Sequence, residues 1–294
     1  MDTKKSENNS APMGLTESQW AAIQAIRPLE EMAVPTDEAS RSVDVYLSDE
    51  RYQAEQRDLF KKVPVVATMS AYLPEPGMSL AQDCYGVPLL ITRDRDGIAR
   101  AFINACRHRG SKLLEGSEPV KSARVSCPYH AWTYAMDGKL IGVPRQETFP
   151  SLKKCDLGLV ALKTYEAGGF IWVGLDHQES PDMLEGSDQV CADLEAFGLD
   201  KMYVYGRRKY DLETNWKFVI EPFLEGYHVQ RLHADSIAKL FDDVPSVYTL
   251  LGHNQRQVSG KAGFVPSILE GNPSNLHKYI THAYLAFPNT IVVT

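Results

Sequence analysis

Two short stretches of the chain combine a thiol with an imidazole: Cys106-Arg107-His108 and Cys127-Pro128-Tyr129-His130, separated by eighteen residues. Each can present one sulfur and one nitrogen ligand from a single loop. Two chemistries suit such a set. Both cysteines could hold one iron of a [2Fe-2S] cluster and both histidines the other; neutral nitrogen ligands would then raise the potential well above that of an all-cysteine cluster. Alternatively, a tetrahedral zinc ion could take all four. Zinc fingers normally pair Cys with Cys and His with His, whereas each pair here is mixed, and this favours the cluster. Trp132 reads either as an apolar cover that limits solvent beside the site or as a core aromatic. Tyr129 and Tyr134 either donate to sulfur or simply pack. Arg109 stays protonated and is read as a loop brace. Cys84, Cys155 and Cys191 lack a partnered spacing and are expected as small buried hydrophobes.

A second constellation follows Asn215. Trp216, Val219, Ile220, Phe223 and Tyr227 recur at helical spacing, while Pro222 and Gly226 are awkward inside a helix and predict a bend or interruption. Glu225 and His228, three apart, can share a helical face. His233 lies five beyond His228 and would point away on a perfect helix. A break between the two histidines would let them converge. Spacing alone leaves open whether they are ordinary polar residues or ligands of ferrous iron.

The elements that must position these residues differ along the chain. Thr16-Glu17-Ser18-Gln19 has the capping-box pattern and predicts a short helix to about Ile26, ending before Pro28. Ser48-Asp49-Glu50 opens a second helix running toward Phe60. From Val63 to about Leu175, short apolar runs (Val63–Ala67, Val87–Thr92, Ala99–Ile103, Leu157–Leu162, Gly169–Val173) alternate with turns, including Asp94-Arg-Asp-Gly97 and Asp137-Gly138. This segment reads as a small, mostly antiparallel β domain with metal-binding loops. Residues 176–200 read as an acidic, partly helical connection, and Met202–Tyr210 as a strand. The tail ends in a β-like run, and a chain stopping there looks cut short.

Composition bounds the function. The 294 residues are 44% apolar, enough for a substantial core, and 31 basic against 38 acidic residues give a net charge of −7. No basic stretch is dense enough to track phosphates, so nucleic acid is not an expected partner. The first fifteen residues are polar, and the apolar runs are too short to cross a bilayer. The expectation is a soluble, cytoplasmic protein with no membrane partner. Five cysteines at irregular spacing favour reduced thiols and metal ligands over a disulfide framework.

The segments Cys-Arg-His-Arg-Gly-Ser from Cys106 and Cys-Pro-Tyr-His-Ala-Trp-Thr-Tyr from Cys127 resemble the two cluster-binding loops of the Rieske non-haem iron ring-hydroxylating oxygenase alpha subunits. The likeness extends through Asp137-Gly138-Lys139-Leu140 and Val143-Pro144, with Ala131 where that family commonly has glycine. Glu225-Gly-Tyr-His228, with His233 downstream, is similar to the family's iron helix. The resemblance implies that Cys106, His108, Cys127 and His130 hold a Rieske [2Fe-2S] cluster and that His228 and His233 ligate a mononuclear Fe(II). It also implies that Glu225 bridges His228 to a cluster histidine, His130, of a neighbouring subunit. Glu225 is one methylene longer than the aspartate common in dioxygenases and is similar to the glutamate of quaternary-amine oxygenases. Glu221 could support the iron histidines or lie on a solvated face, and Pro222 replaces an Asn frequent in dioxygenases. The third iron ligand of the family is a carboxylate far downstream; Asp235, Asp242, Asp243 and Glu270 do not match it, so none is assigned.

The fold so implied is α+β: a small antiparallel β Rieske [2Fe-2S] domain plus a partial helix-grip (START-like) catalytic domain with an antiparallel sheet. The expected segments are a helical 1–62, a Rieske domain 63–175 and a partial catalytic domain 176–294. The function implied is an oxygenase that uses O2 and NAD(P)H-derived electrons, delivered through a ferredoxin or flavin reductase, to hydroxylate or oxidatively demethylate a small organic substrate. It would work as a homotrimer, with or without a beta subunit. The alternatives are an aromatic-ring cis-dihydroxylating dioxygenase and, outside the enzymes, a Rieske electron-transfer protein or a noncatalytic fragment.

Overall fold

The computed structural model describes residues 14–31, 36–176, 186–241, 246–270 and 275–294. Helices α1 (Glu17–Gln24), α2 (Asp44–Leu47) and α3 (Asp49–Ala54) come first, α3 continuing as a wider π turn through Phe60. Eleven strands follow: β1 (Val65–Met69), β2 (Met78–Cys84), β3 (Val87–Arg93), β4 (Ala99–Ile103), β5 (Val120–Lys121), β6 (Arg124–Ser126), β7 (Thr133–Ala135), β8 (Leu140–Gly142), β9 (Ala161–Leu162), β10 (Thr164–Ala167) and β11 (Phe170–Val173). Then come α4 (Asp188–Ala196), α5 (Trp216–Ile220), α6 (Val229–Leu232), β12 (Val247–Leu251), β13 (Asn254–Gly260), β14 (Ile280–Ala286) and β15 (Thr290–Val293). By compactness the chain forms two units that interleave in sequence, one of residues 48–185 and 200–210, the other of 1–47, 186–199 and 211–294.

The first unit is antiparallel β throughout, in sheets ordered β1-β11-β10, β5-β2-β3-β4-β9 and β6-β7-β8. Its central strand β3 is a continuous apolar run because both of its faces are covered. Leu89 and Ile91 enter one core with Val65, Leu80 and Ile171, while Leu90 enters another with Phe102, Cys106, Cys127, Trp132 and Tyr134. The Asp137-Gly138 turn closes the β7–β8 hairpin with Gly138 at φ +83°, and a Cβ there would overlap the Phe102 ring.

Two strand expectations fail in this unit. Of the run Leu157–Leu162 only Ala161–Leu162 joins a sheet. Met202–Tyr210 is not a strand: Tyr203 and Tyr205 are 81% and 96% exposed, so the alternating pattern has no buried face to set a register. Cys155 corrects a third reading, since it is exposed, whereas Cys84 and Cys191 are buried and burial pushes both thiols up to about 12.

The second unit packs α1 and α4 on one face of the antiparallel sheet β12-β13-β14-β15. The Thr16 capping box forms as expected, with Gln19 N–H donating to Oγ1 at 3.1 Å. The core beneath is joined by a buried polar network. Arg256 Nη1 meets Asp193 Oδ2 at 2.7 Å, and Thr16 Oγ1, Gln189 Nε2 and Tyr284 Oη all donate to the same carboxylate. Removing one member of such a pair leaves an uncompensated buried charge, a loss of about 3–5 kcal/mol. The network therefore holds two helices and two strands in one arrangement.

His282 lies on the same face, stacked with Tyr284 and edge-on to Phe197, and its Nε2 finds no hydrogen-bond partner among the described residues. Burial first, then the charges of Arg256 and Lys261, push its pKa down to about 3. The unfolded chain thus binds a proton near pH 6.5 that the folded chain refuses. Stability from this residue is complete above that pH and is lost as pH falls toward 3, about 2 kcal/mol by pH 5. His282→Leu should flatten the decline in denaturation midpoint between pH 7 and pH 5, and an unchanged decline would show that another group causes it.

Candidate metal centres

In the cysteine-bearing unit the two loops close in the same way. The Gly110 N–H donates to the Cys106 carbonyl at 2.8 Å, and the Ala131 N–H to the Cys127 carbonyl at 2.9 Å. Each cysteine N–H in turn bonds the carbonyl five residues on, Cys106 to Ser111 and Cys127 to Trp132, both at 2.8 Å. The closing residues are left-handed, Gly110 at φ +74° and Ala131 at φ +57°. Buried Asn104 pins the first loop from behind, accepting from the Leu113 and Leu114 N–H groups and donating to the Leu114 carbonyl.

These turns bury both thiols and leave both imidazoles nearer solvent. Cys106 and Cys127 are 3% and 4% exposed. The Tyr134 hydroxyl, which burial and then the Cys106 sulfur hold in its protonated form, lies 3.3 Å from Cys106 Sγ and accepts the Arg107 N–H. For Cys127, burial opposes ionisation but is outweighed by the Tyr129 and His130 N–H groups and by Cys106 and Ser111, so its thiol sits below the ordinary range. The His108 and His130 rings are 4.7 Å apart between centroids. Trp132 is buried flat against His108 at 4.8 Å, with Phe149 edge-on to both, so it covers that imidazole and packs in the core at once. Tyr129 is instead exposed and stacks on His130. Burial, then His130 and Arg109, lower the pKa of His108 and favour the neutral, ligating imidazole.

In the other unit the expected interruption is present. α5 begins at its Asn215 cap and ends at Ile220; Glu221–Leu224 tightens into a 3-10 turn with Pro222 in its first turn; Glu225 is extended; and α6 starts again after His228. The Gln255 amide donates to the Leu224 carbonyl at the break, and the Gln230 amide to the Phe241 carbonyl beyond α6. The break falls before His228 and not between the histidines as expected: His228 and His233 cap the two ends of the single-turn α6, their rings 5.3 Å apart between centroids. Glu225 bonds His228 Nδ1 through one oxygen and accepts the Tyr227 and His228 N–H groups with the other. This leaves His228 Nε2 as the ring nitrogen available to a metal. Glu221 faces elsewhere: it accepts the Tyr46 hydroxyl at 2.8 Å and pairs with Arg41. The apolar stripe from Trp216 to Tyr227 is not core, since Val219, Phe223 and Tyr227 are exposed.

Among the described residues no group of three or more His, Cys, Asp or Glu side chains forms a single-ion site. The candidates come as a thiol pair, an imidazole pair and the pair His228/His233. Two-plus-two sharing suits a two-iron cluster and not one tetrahedral zinc. Asp235 and Glu270 are exposed, and Asp242 and Asp243 lie outside the described residues.

Residues 63–166 match the Rieske [2Fe-2S] domain and residues 199–280 the catalytic domain of ring-hydroxylating alpha subunits. The chain belongs to the Rieske ring-hydroxylating oxygenase alpha-subunit family. Among the family's curated members, the carnitine monooxygenase oxygenase subunit of Acinetobacter pittii is 30% identical over 201 residues, 65% of this chain and 53% of that protein. The glycine betaine monooxygenase oxygenase subunit of Pseudomonas aeruginosa is 31% identical over 231 residues, 74% of this chain and 52% of its own length. The chain thus spans about half the length of the curated relatives it matches. The solved quaternary ammonium Rieske monooxygenase CntA shares the fold over 85% of this chain and 66% of its own, with a TM-score of 0.73 at 23% identity.

Ala131 is where this member departs from the family's commonly glycine position, and the structure places it at positive φ. A left-handed alanine costs about 1–2 kcal/mol that glycine avoids. Ala131→Gly should therefore raise stability by about 1 kcal/mol in chemical denaturation, while Gly110→Ala at the equivalent turn should lower it. Destabilisation by Ala131→Gly would contradict the strain.

Proposed function

We propose that the complete protein is the oxygenase component of a Rieske monooxygenase, acting with O2 on a quaternary ammonium compound by hydroxylation or oxidative demethylation. In this reading Cys106, Cys127, His108 and His130 hold the cluster in the domain 63–175, and His228 and His233 hold the mononuclear iron in the part of the catalytic domain spanning 176–294. When bound, the cluster supplies electrons singly and the mononuclear iron activates dioxygen.

The observation that carries the reading is the cavity beside the histidine pair. His228 and His233 stand in the wall of a space of about 490 Å3, whose lining also includes Phe223, Tyr227, Phe241 and Tyr248. Aromatic faces attract a quaternary ammonium through their quadrupoles. An electron-transfer protein would have no use for such a cavity. Glu225 orients His228 through Nδ1, and its side chain, 45% exposed, can accept a further bond from a cluster histidine of a neighbouring copy. Pro222, where dioxygenases frequently have Asn, argues against ring dihydroxylation. Electron delivery from NAD(P)H through a ferredoxin or flavin reductase, a homotrimer with or without a beta subunit, a helix-grip (START-like) catalytic fold and a cytoplasmic location belong to the same proposal, supported by the family likeness. No helix among the described residues is long and apolar enough to cross a membrane.

Anaerobically prepared protein should contain acid-labile sulfide equal to its cluster iron, and Cys106→Ala or Cys127→Ala should abolish both. Stoichiometric zinc without sulfide would reject the assignment. In a version extended to full family length, His228→Ala and His233→Ala should each remove one iron per chain and spare the sulfide; unchanged iron in both would refute the pair. Glu225→Gln keeps the volume but weakens the acceptor at Nδ1, so Fe(II) affinity in equilibrium dialysis should fall by about 10–100-fold. An unaltered affinity would mean that Glu225 does not orient the ligand.

A further inference from the structure

The two sides of the cavity differ in chemistry. The helical side contributes mostly apolar groups around the histidines, Pro222, Phe223, Val229 and Ile237 among them, whereas the sheet side sets the polar side chains Gln257, Ser259 and Thr281 among apolar Ala283 and Val293. Side chains alternate across a strand, so while Arg256 and Tyr284 serve the buried network, Gln257, Ser259 and Thr281 face the cavity. Gln257 is only 7% exposed and is held rigidly: its Nε2 donates to Ser246 Oγ at 3.0 Å and Ser259 Oγ at 3.3 Å, and those oxygens are themselves 2.6 Å apart.

A carboxamide has two N–H donors and one acceptor oxygen. In Gln257 the serines take the donors. Its Oε1 accepts from no described residue and is not among the buried unpaired atoms, which leaves it open to the cavity. Building on the cavity as the substrate pocket, we infer that Gln257 is a specificity determinant that reads an uncharged hydrogen-bond donor, a hydroxyl or N–H, on the substrate. An apolar group there would strand the amide oxygen without a partner. A carboxylate would set acceptor against acceptor. Because the serines fix the amide before binding, no side-chain ordering offsets the contact.

The test uses three probes on the full chain, measured by isothermal calorimetry: choline, ethyltrimethylammonium, which lacks only the hydroxyl, and glycine betaine, which carries a carboxylate. Wild type should bind choline about tenfold more tightly than either of the others. Gln257→Leu should abolish the preference, weakening choline and, because no amide oxygen is then stranded, binding ethyltrimethylammonium at least as tightly as wild type does. Gln257→Glu, which keeps an acceptor and can take bonds from both serine hydroxyls, should retain the preference for choline, with thermal melting as the check on folding of both variants. The same preference in wild type and Gln257→Leu, or none in wild type, would overturn the role of Gln257 alone. Binding of no probe to wild type would overturn the quaternary-ammonium pocket and, with it, this role.

Discussion

The cluster-bearing unit depends on how each loop turns back onto its cysteine. Four residues after Cys106 and four after Cys127 the backbone enters the left-handed region and closes on the cysteine carbonyl. This turn decides which atoms are buried. It places the sulfurs in the core layer with Leu90 and Tyr134, where a polar atom must have a partner. It also directs the imidazoles outward, against Trp132 on one side and Tyr129 on the other. A buried pair of thiols and an outer pair of imidazoles is an asymmetric donor set, and that asymmetry suits electrons entering and leaving through the histidines.

The catalytic unit solves a different problem, that of isolating a single helical turn, α6, whose two caps are His228 and His233. Pro222 cannot donate a backbone hydrogen bond, so α5 tightens and stops, and Glu225 adopts extended geometry before α6 begins. Sheet and loop residues then satisfy the groups that the break frees, Gln255 at the Leu224 carbonyl among them. Beneath, the Asp193–Arg256 network fixes the sheet from its other face. The strand alternation that commits Arg256 to the core commits Gln257 to the cavity, so packing and substrate recognition share one register.

Much of this was legible in the residues. Mixed Cys/His pairs predicted two chelating loops, Pro222 and Gly226 predicted the broken helix, and Thr16 with Gln19 predicted the cap; all rest on local chemistry that a few neighbouring residues decide. What was not legible depended on distant partners. Met202–Tyr210 has strand-like alternation but no buried face, and Cys155 is as unpartnered in spacing as Cys84 yet lies outside. Glu221, one turn from Glu225, is drawn to Tyr46 and Arg41, far away in sequence. Nor did periodicity in a single strand reveal the serine-held amide of Gln257, because Ser246 comes from a neighbouring segment.

The central claim, that two thiols and two imidazoles of this chain share one two-iron cluster, is tested most directly by electron–nuclear double resonance on the reduced protein with 15N-labelled histidine. Two distinct, strong 15N couplings are expected, one lost in a His108 variant and the other in a His130 variant if the cluster survives. Absence of strong histidine couplings in a sulfide-containing, paramagnetic sample would contradict the account.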